Sequence, residues 1–580
     1  MLKLVYMTDL TSEREQFIRN ITENQFVCAA AGTGKTTVLV RRYLEILLSG
    51  AADCDQIIAI TFTDKAANEM KERVRSSILK NEAGLEPAKI ASLIERLNTA
   101  PISTVHGFCL RILRDNIGEL PFDPLFKICD ETAEALLRDQ FWQKFLERKI
   151  AERDPDLTIL INSITLDELS KLLDLIYEKQ AECAPILERY KNLNVTSHLA
   201  DIEKACRDYN LQLLYEYFSD TTISDIINQI STFKSSKSDD VLQRDFCIIL
   251  TASAEVLGRR QIPVSLRDGS LRKALGGGKK GTAAAWGNEL ETVREFHSQL
   301  AAKFRLIKDE FHTFDPEIEK LHADVMQSLA RLALDFLQEY RAEMRRKALL
   351  DFTGIELETE NLLARRSPEI VRYIRNFKHL LVDEFQDINP IQYRIIQLLQ
   401  ELNPDLITFF VGDEKQSIYR FRGAEVEIFN TLREQSDVQP LSTNYRSVQA
   451  LMNFYNFFFA QFLGSAPPAE RYAAHYPLPI AAKDNSISTE PPVELLLIEE
   501  DEEFAARPRQ ESPKDEVLEA RAIADHIWQL HKAEIIRENG IIREAEFGDM
   551  TILLRSRTHQ SQFTEALRQA GIPFYVVTGI

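Results

Sequence analysis

A run of small residues that ends in a lysine and two threonines is the first place along the chain where chemistry is expected. An apolar strand pattern at 26–28 precedes this run, and a helical pattern at 36–49 follows it. Backbone N–H groups in a turn of this kind bind phosphate, and the positive end of the following helix adds to the attraction. The pattern predicts a nucleotide-phosphate site made of Ala29, Ala30, Ala31, Gly32, Thr33, Gly34, Lys35, Thr36 and Thr37.

The side chains of this loop indicate ATP and Mg²⁺ as its ligands. Lys35 would neutralise the β- and γ-phosphates, and the Thr36 hydroxyl would bind the metal. The usual pattern begins with glycine, whereas this chain has Ala29, which still allows close approach of a phosphate. A glycine-rich turn without function is the alternative interpretation.

A pair of carboxylates after a second apolar strand pattern supplies the partner that a phosphate loop needs. Asp383 and Glu384 directly follow the run at 380–382. Asp383 would hold Mg²⁺ through water, and Glu384 would accept a proton from the water that attacks the nucleotide. Two ordinary loop charges are the alternative, and the presence of the phosphate loop argues against it.

Short apolar runs that alternate with helical patterns must position these residues. The alternation extends to about residue 115 and resumes near 379, so we predict an α/β fold with a parallel, doubly wound sheet. Between about 120 and 345 strand patterns nearly vanish, which indicates a large α-helical insertion. Within it, the Gly- and Lys-rich stretch 272–281 is predicted to be a mobile loop, whose basic residues either touch duplex phosphates or are solvated.

The C-terminal part predicts further elements. Strands are expected at 493–498, 550–554 and 574–577, with a helix at 560–570 before the last of them. The long uncharged stretch 447–469 is interrupted by Asn and Gln and ends at two prolines, which favours a core helix over a membrane span.

The overall composition narrows the class of protein. Of 580 residues, 44% are hydrophobic and 27% are charged, which excludes a disordered or fibrous chain. The net charge of −19 excludes a globally basic nucleic-acid binder. A local DNA-binding groove is still compatible, because charges act within a screening length of about 8 Å. Seven cysteines without a C-x-x-C pair indicate reduced thiols, and together with the early charges at the N-terminus they predict a soluble cytoplasmic protein.

Six ordered motifs resemble those of superfamily 1 helicases of the UvrD/Rep type. Besides the phosphate loop and the acidic pair, they are the stretches 61–70 (TFTDKAANEM), 103–109 (STVHGFC), 411–424 (VGDEKQSIYRFRGA) and 444–447 (NYRS). The wording of STVHGFC, DEFQD and QSIYRFRGA is closest to the RecB and AddA branch, the helicase subunits of helicase–nucleases. The resemblance implies RecA-like P-loop NTPase domains.

The resemblance also implies roles at the nucleotide. Gln416 would sense the γ-phosphate and link it to the DNA groove, and Arg446 would reach the γ-phosphate as an arginine finger, so that both join Glu384 as catalytic residues. Tyr445 would stack on adenine. The family usually reads adenine with a glutamine before the phosphate loop, but the aligned position here is Arg14, which would stack on the base or contact a phosphate instead.

A track for single-stranded DNA is implied at the same motifs. Its residues would be Phe62, Thr63, His106, Tyr419 and Phe421. Stacking of bases on such side chains suits a translocase, since every base has a π-face, and it is worth about 1–3 kcal/mol per base. Ordinary packing is the alternative for each ring, and a satisfied helix-start histidine is the alternative for His106.

These observations predict the following domain organisation. The first RecA-like domain is expected to comprise 1–118 and 346–432, separated by the helical insertion at 119–345. The second RecA-like domain would begin at 433–465 and resume, incomplete, at 516–580, after a Pro-rich and acidic irregular segment at 466–515.

The implied function is that of an ATP-dependent DNA helicase or translocase of 3′-to-5′ polarity in DNA repair or recombination. Its partners would be single-stranded DNA or tailed duplex DNA and a second helicase–nuclease subunit, with no membrane. Later helicase motifs and a nuclease cluster are not found before residue 580, so we expect an N-terminal portion that binds Mg·ATP and single-stranded DNA without unwinding duplex. A non-catalytic ATP- and DNA-binding fragment and a P-loop kinase are the alternatives.

Overall fold

The computed structural model describes residues 12–81, 84–121, 123, 125–418, 425–436, 438–464, 472–474, 476, 479–481, 493–497, 515–533, 536–538 and 541–577. These residues form two compact units. One unit comprises the described residues before 125 and after 353, and the other comprises 125–353.

Six strands of the first unit form one sheet in the order β3-β2-β6-β7-β1-β8, and every neighbouring pair is parallel. This confirms the predicted α/β class with its parallel sheet. The remaining strands form short pairs. The strands are β1 Gln25–Ala29, β2 Ile57–Thr61, β3 Ile102–Thr104, β4 Lys127–Ile128, β5 Leu349–Leu350, β6 His379–Val382, β7 Ile407–Gly412, β8 Val438–Leu441, β9 Thr443–Asn444, β10 Ile480–Ala481, β11 Ile536–Glu538 and β12 Ile541–Arg543.

Helices connect these strands and make up most of the second unit. In chain order they are α1 Ser12–Arg19, α2 Lys35–Ser49, α3 Asp64–Lys80, α4 Pro87–Asn98, α5 Val105–Asp115, α6 Glu131–Ala151, α7 Pro155–Ile161, α8 Leu166–Glu178, α9 Gln180–Lys191, α10 Val195–Ser219, α11 Thr221–Ile230, α12 Val241–Arg259, α13 Val264–Arg267, α14 Ser270–Ala274, α15 Ala283–Trp286, α16 Leu290–Ile307, α17 Pro316–Arg346, α18 Phe352–Ala364, α19 Pro368–Arg375, α20 Pro390–Leu402, α21 Val426–Gln435, α22 Gln449–Leu463, α23 Asp515–Leu530 and α24 Gln560–Gln569.

The core of the first unit explains why the central strands read as continuous apolar runs. All residues of β2 and β6 are buried, because helices cover both faces of a parallel sheet. Leu381, Phe409 and Val411 join the aliphatic residues of α2 and α3 in one cluster. The carboxyl ends of the strands therefore meet at one edge of the sheet, which is where ligands bind in such folds.

The second unit is helical, with two hydrophobic clusters of its own. One cluster lies among α10–α16 and the other among α6–α9 and α17. The predicted mobile loop at 272–281 begins inside α14, and its Lys280 donates to the buried carboxylate of Asp245 at 2.7 Å. No helix in the described ranges is both long and apolar enough to span a bilayer.

Several predicted elements differ in the structure. Residues 493–497, 550–554 and 574–577 form no strand, because a strand needs a hydrogen-bonded neighbour, and none pairs with them within the described residues. The helix predicted at 447–469 is α22, and the prediction of a core helix is wrong, since Met452 is the one residue of α22 that is fully buried and Phe457 is 70% exposed. The sequence pattern also missed the antiparallel pair β11–β12. Helix α5 begins at Val105, directly after β3, and the Thr104 hydroxyl caps it by accepting from the Gly107 N–H at 3.2 Å.

Candidate active site

The phosphate loop, residues 29–36, joins the end of β1 to the start of α2. Gly32 and Gly34 have φ values of 78° and 88°, which favour glycine. A Cβ at Gly32 would lie 2.8 Å from Cβ of Arg446, so only glycine fits between the two segments. Thr33 Oγ1 donates to Ala30 O at 2.8 Å and holds the turn closed. The loop thus presents backbone N–H groups in front of α2, whose first turn holds Lys35, Thr36 and Thr37.

Lys35 and Glu384 meet although they lie 349 residues apart in the chain. The Lys35 side chain is 9% exposed, and its ammonium donates to Glu384 Oε2 at 2.5 Å. Glu384 has φ 49° and ψ 48°, a left-handed conformation that costs a non-glycine residue energy. The turn after β6 is therefore strained in a way that places this carboxylate in front of the phosphate loop.

Negative charge accumulates beside this ion pair. Burial, and after it the charge of Glu384, raises the pKa of Asp383 to about 6. The same two causes raise the pKa of Asp387 to about 7, and Asp387 Oδ1 has no hydrogen-bond partner within the described residues. Three carboxylates with one lysine leave an acidic excess that a divalent cation would relieve. The hydroxyl of Thr36 and the carboxylate of Asp383 are oxygen donors of the kind Mg²⁺ takes, so the residues fit the metal.

A hydrogen-bonded chain connects Glu384 to the end of β7. Gln386 Nε2 donates to Glu384 Oε2 at 3.0 Å, and Gln386 Oε1 accepts from the Asp413 N–H at 2.8 Å. Asp413 Oδ2 then accepts from Gln416 Nε2 at 2.7 Å. The structure therefore brings Gln416 into one network with Glu384, through Gln386 and Asp413.

The segment after β8 lies directly against the phosphate loop. Asn444 Nδ2 donates to Ala31 O at 2.7 Å, and the Tyr445 N–H donates to Gly32 O at 2.8 Å. Asn444 Oδ1 accepts from the backbone N–H groups of Arg446 and Ser447, both at 2.8 Å. These bonds hold the backbone of Arg446 beside the loop, and its side chain is exposed.

Arg14 takes up a position between the phosphate loop and Tyr445. Its guanidinium carbon lies 3.5 Å from the centre of the Tyr445 ring, and its Nε donates to Thr33 O at 3.1 Å. The side chain is buried and also lies against Gly34. Arg14 thus stacks on the ring that was predicted to stack on adenine.

Three of the five residues predicted to contact DNA lie within the described residues: Phe62, Thr63 and His106. Phe62 is half-buried after β2, and Thr63 caps α3 by accepting from the Ala66 N–H at 3.1 Å. His106 lies in the first turn of α5, after β3, with Nε2 3.0 Å from Glu356 Oε1. Because β2 and β3 are parallel neighbours, these residues share the carboxyl edge of the sheet.

Two residues predicted to contact DNA are not described by the structure, and three residues of the site were not predicted from the sequence. Tyr419 and Phe421 lie outside the described residues. The missed residues are polar groups that connect segments distant in the chain: Gln386, Asn444 and Glu356. Gln386 and Asn444 belong to the motifs DEFQD and NYRS, so the motifs could have identified them as functional residues. Glu356 lies in a helix outside the motifs, and no sequence pattern marks it.

A glycine-rich loop after β1 and a pair of carboxylates after β6 of a parallel sheet are typical of P-loop nucleoside triphosphatases with a RecA-like fold. Residues 10–437 match the family model for the UvrD/REP helicase N-terminal domain. This match covers well over half of the chain, and the chain belongs to the UvrD/REP helicase family.

Curated relatives agree with this assignment. Three of them are named as the A subunit of an ATP-dependent helicase/nuclease. The one from Ligilactobacillus salivarius is 26% identical to this chain, and the match covers 98% of this chain and 48% of the relative. The relative from Anoxybacillus flavithermus is 28% identical over 97% of this chain and 50% of its own length, and the one from Geobacillus kaustophilus is 29% identical over 94% of this chain and 47% of its own length. The chain spans about half the length of these relatives. Their name agrees with the RecB and AddA branch that the motifs indicate.

Proposed function

We propose that this chain carries the ATP-hydrolysing site of a DNA helicase. The contact between Lys35 and Glu384 carries the proposal, because it joins a phosphate-binding lysine to a candidate general base across 349 residues of sequence. Packing alone does not account for the position of Glu384, since its side chain is 32% exposed and its backbone is strained.

The ion pair also suggests how the site is kept idle without nucleotide. Phosphate oxygens would compete for the Lys35 ammonium, because charge-assisted bonds to a phosphate are strong. Lys35 would then release Glu384, whose carboxylate would accept the proton of the attacking water. Thr36 and Asp383 would hold Mg²⁺, which neutralises developing phosphate charge when bound.

The residues around the loop would divide the remaining work. Gln416 would report γ-phosphate through Asp413 and Gln386, and Arg446 would supply a positive charge to the transition state. Tyr445 and Arg14 would hold the base. Arginine has no acceptor for the adenine amino group, so we propose that Arg14 stacks on the base rather than reading it.

Single-stranded DNA would run across the carboxyl edge of β2 and β3. Phe62, Thr63 and His106 would contact it there, and Tyr419 and Phe421 would add stacking surfaces. Translocation with 3′-to-5′ polarity in DNA repair or recombination, on tailed duplex DNA, follows from the family resemblance alone. The relatives are named as one component of a helicase/nuclease, which supports a second component as the partner of this chain. A cytoplasmic location is a proposal from the cysteine pattern, and all seven thiols are free.

The test is phosphate release by the purified chain with Mg·ATP, with and without single-stranded oligothymidylate. We expect turnover that rises with DNA and disappears in Lys35→Ala. Nucleotide binding without any turnover would favour the non-catalytic alternative, and turnover that ignores DNA would favour an NTPase of another kind. Strand displacement on duplexes with a 3′ or a 5′ tail checks the expectation that this chain does not unwind duplex, and displacement of the 3′-tailed duplex alone would instead give the polarity.

A further inference from the structure

A buried glutamate outside the six motifs connects the candidate DNA track to the acidic segment 383–387 of the candidate ATP site, called the ATP segment below. Glu356 lies in α18 and is 3% exposed. Its Oε1 is 3.0 Å from His106 Nε2 and accepts from Gln392 Nε2 at 2.6 Å, and its Oε2 accepts from Asn389 Nδ2 at 3.1 Å. A buried carboxylate is costly unless it is well hydrogen-bonded, and here three side chains from two other helical segments satisfy it.

The partners of Glu356 belong to the two functions of the site. His106 is half-exposed in the first turn of α5, at the sheet edge proposed for DNA. Asn389 caps α20 through its Oδ1, which accepts from the Gln392 N–H at 2.8 Å. The cap comes two residues after Asp387, at the end of the acidic segment 383–387. One carboxylate therefore contacts both the DNA-side histidine and the helix that anchors the ATP-side segment.

We infer that Glu356 is a positioning residue that holds the His106 imidazole against single-stranded DNA and ties it to the helix following the ATP segment. A carboxylate only accepts, so His106 Nε2 must carry the proton in this contact, and the orientation of the ring is thereby set. A ring that is already held in place gives up less side-chain entropy when DNA binds. The inference rests on the proposed function, because it requires His106 to face DNA.

The experiment is a double-mutant cycle on the oligothymidylate concentration that gives half-maximal stimulation of ATP hydrolysis. Glu356→Gln, nearly isosteric, and His106→Ala are each expected to raise this concentration about tenfold, within the range for losing one base contact. The double variant is expected to show no rise beyond that of the larger single variant, because both changes disable the same contact. Glu358→Gln is the matched control, since Glu358 is equally buried in α18 but points to another face of the helix, and it is expected to match the unaltered protein.

Two readouts keep the inference falsifiable. Glu356→Asp retains the buried charge but draws the carboxylate back by one methylene, so it should reproduce the loss if Glu356→Gln proves poorly folded by circular dichroism. Effects of Glu356 and His106 changes that multiply in the double variant would overturn the inference, as would a Glu356 variant that behaves like the Glu358 control. An unaltered protein that neither binds oligothymidylate nor hydrolyses ATP would overturn the proposed function, and the inference with it.

Discussion

Two glycine-rich loops of this molecule carry a lysine, and their comparison shows what makes one of them a candidate phosphate site. In the phosphate loop, Lys35 pairs with Glu384 at 2.5 Å, and Arg14 donates to a loop carbonyl. In the second unit, the basic loop 272–281 has a similar arrangement of a lysine paired with a carboxylate and an arginine that donates to loop carbonyls. Its Lys280 pairs with Asp245 at 2.7 Å, and Arg294 donates to the carbonyls of Lys280 and Gly281, both at 3.0 Å.

The two lysines differ in how many of their donors are already used. Lys280 also donates to the backbone carbonyls of Lys273 at 3.0 Å and Ala274 at 3.1 Å, so its three N–H donors are all engaged. Lys35 donates to one described acceptor, at the start of a 15-residue helix. A glycine-rich loop with a lysine therefore becomes an anion site only where the ammonium keeps spare donors next to unpaired backbone N–H groups. Contact of the other basic-loop residues with DNA stays a prediction.

The largest expected effect comes from removing the lysine that has spare donors. Lys35→Ala should abolish binding of Mg·ATP at physiological concentration, because triphosphate charge is left without its cation. Titration with a fluorescent ATP analogue measures this loss, and circular dichroism checks that the fold is intact. Lys280→Met is the matched control and should bind the analogue normally. Equal affinities of Lys35→Ala and the unaltered chain would show that the comparison is wrong.

Glu384→Gln tests the partner of Lys35. Glutamine keeps the shape of the side chain but cannot accept the proton of the attacking water, so hydrolysis should slow by about 10²–10⁴-fold while nucleotide still binds. Single-turnover phosphate release separates the chemical step from binding. A loss below about threefold would mean that Glu384 is not the base, given this range.

Lys280→Met should change stability rather than chemistry. It leaves Asp245 buried and uncompensated, and breaking a buried ion pair costs about 3–5 kcal/mol. Hydrogen exchange in α12 and α16 is expected to speed up, with ATP affinity unchanged. Adding Asp245→Leu should restore most of the protection, because the unpaired charge is gone. Failure of this rescue would indicate that the backbone carbonyls, not the carboxylate, make Lys280 necessary.

Replacing Arg14 should affect nucleotide binding, whereas replacing Arg294 should affect only the basic loop. Arg14→Ala removes the stack on Tyr445 and should weaken ATP binding about tenfold, in line with a desolvated cation–π contact. Arg294→Ala should instead loosen the basic loop without affecting ATP. Since Arg14 cannot accept from the adenine amino group, the unaltered chain should discriminate little between ATP and GTP, and Arg14→Gln should increase the preference for ATP. Competition titrations with both nucleotides measure the preference.

The smallest expected effect is a pH dependence of the stability of the second unit, caused by His297 in α16. Burial lowers the pKa of His297 below 6.5, and Lys280, whose ammonium lies 3.5 Å from its Nε2, lowers it further. The unfolded chain therefore binds this proton more readily, so stability of the second unit should fall as the pH drops below 6.5. The loss is measured by urea unfolding at about pH 7 and about pH 5.5, which lie on either side of the ordinary histidine pKa. Hydrogen exchange in α16 is the readout. His297→Gln should reduce this dependence, and an undiminished one would assign it to other groups.

Motifs that act locally were predictable, whereas elements that need a distant partner were not. The glycine turn between β1 and α2, the strand β2 and the helix α24 followed from apolar periodicity and from the residues next to it. Phosphate binding by that turn stays a prediction. The strands predicted at 550–554 and 574–577 failed because a strand is defined by its neighbour. The exposed rings of α22, such as Phe457, show the same limit, since an apolar pattern predicts burial but does not provide the surface that buries it.

The sequence by itself determined which residues could do chemistry: a lysine and a hydroxyl after a tight glycine turn, two carboxylates after an apolar run, and the order of motifs that marks a UvrD/REP helicase. Only the tertiary structure decided which of them meet. The order of strands in the sheet brings Lys35 to Glu384 and Arg14 to Tyr445, and it gives Glu356 its three donors. The physical reason is that hydrogen bonds and ion pairs act over a few ångströms, whereas these partners are separated by tens to hundreds of residues along the chain.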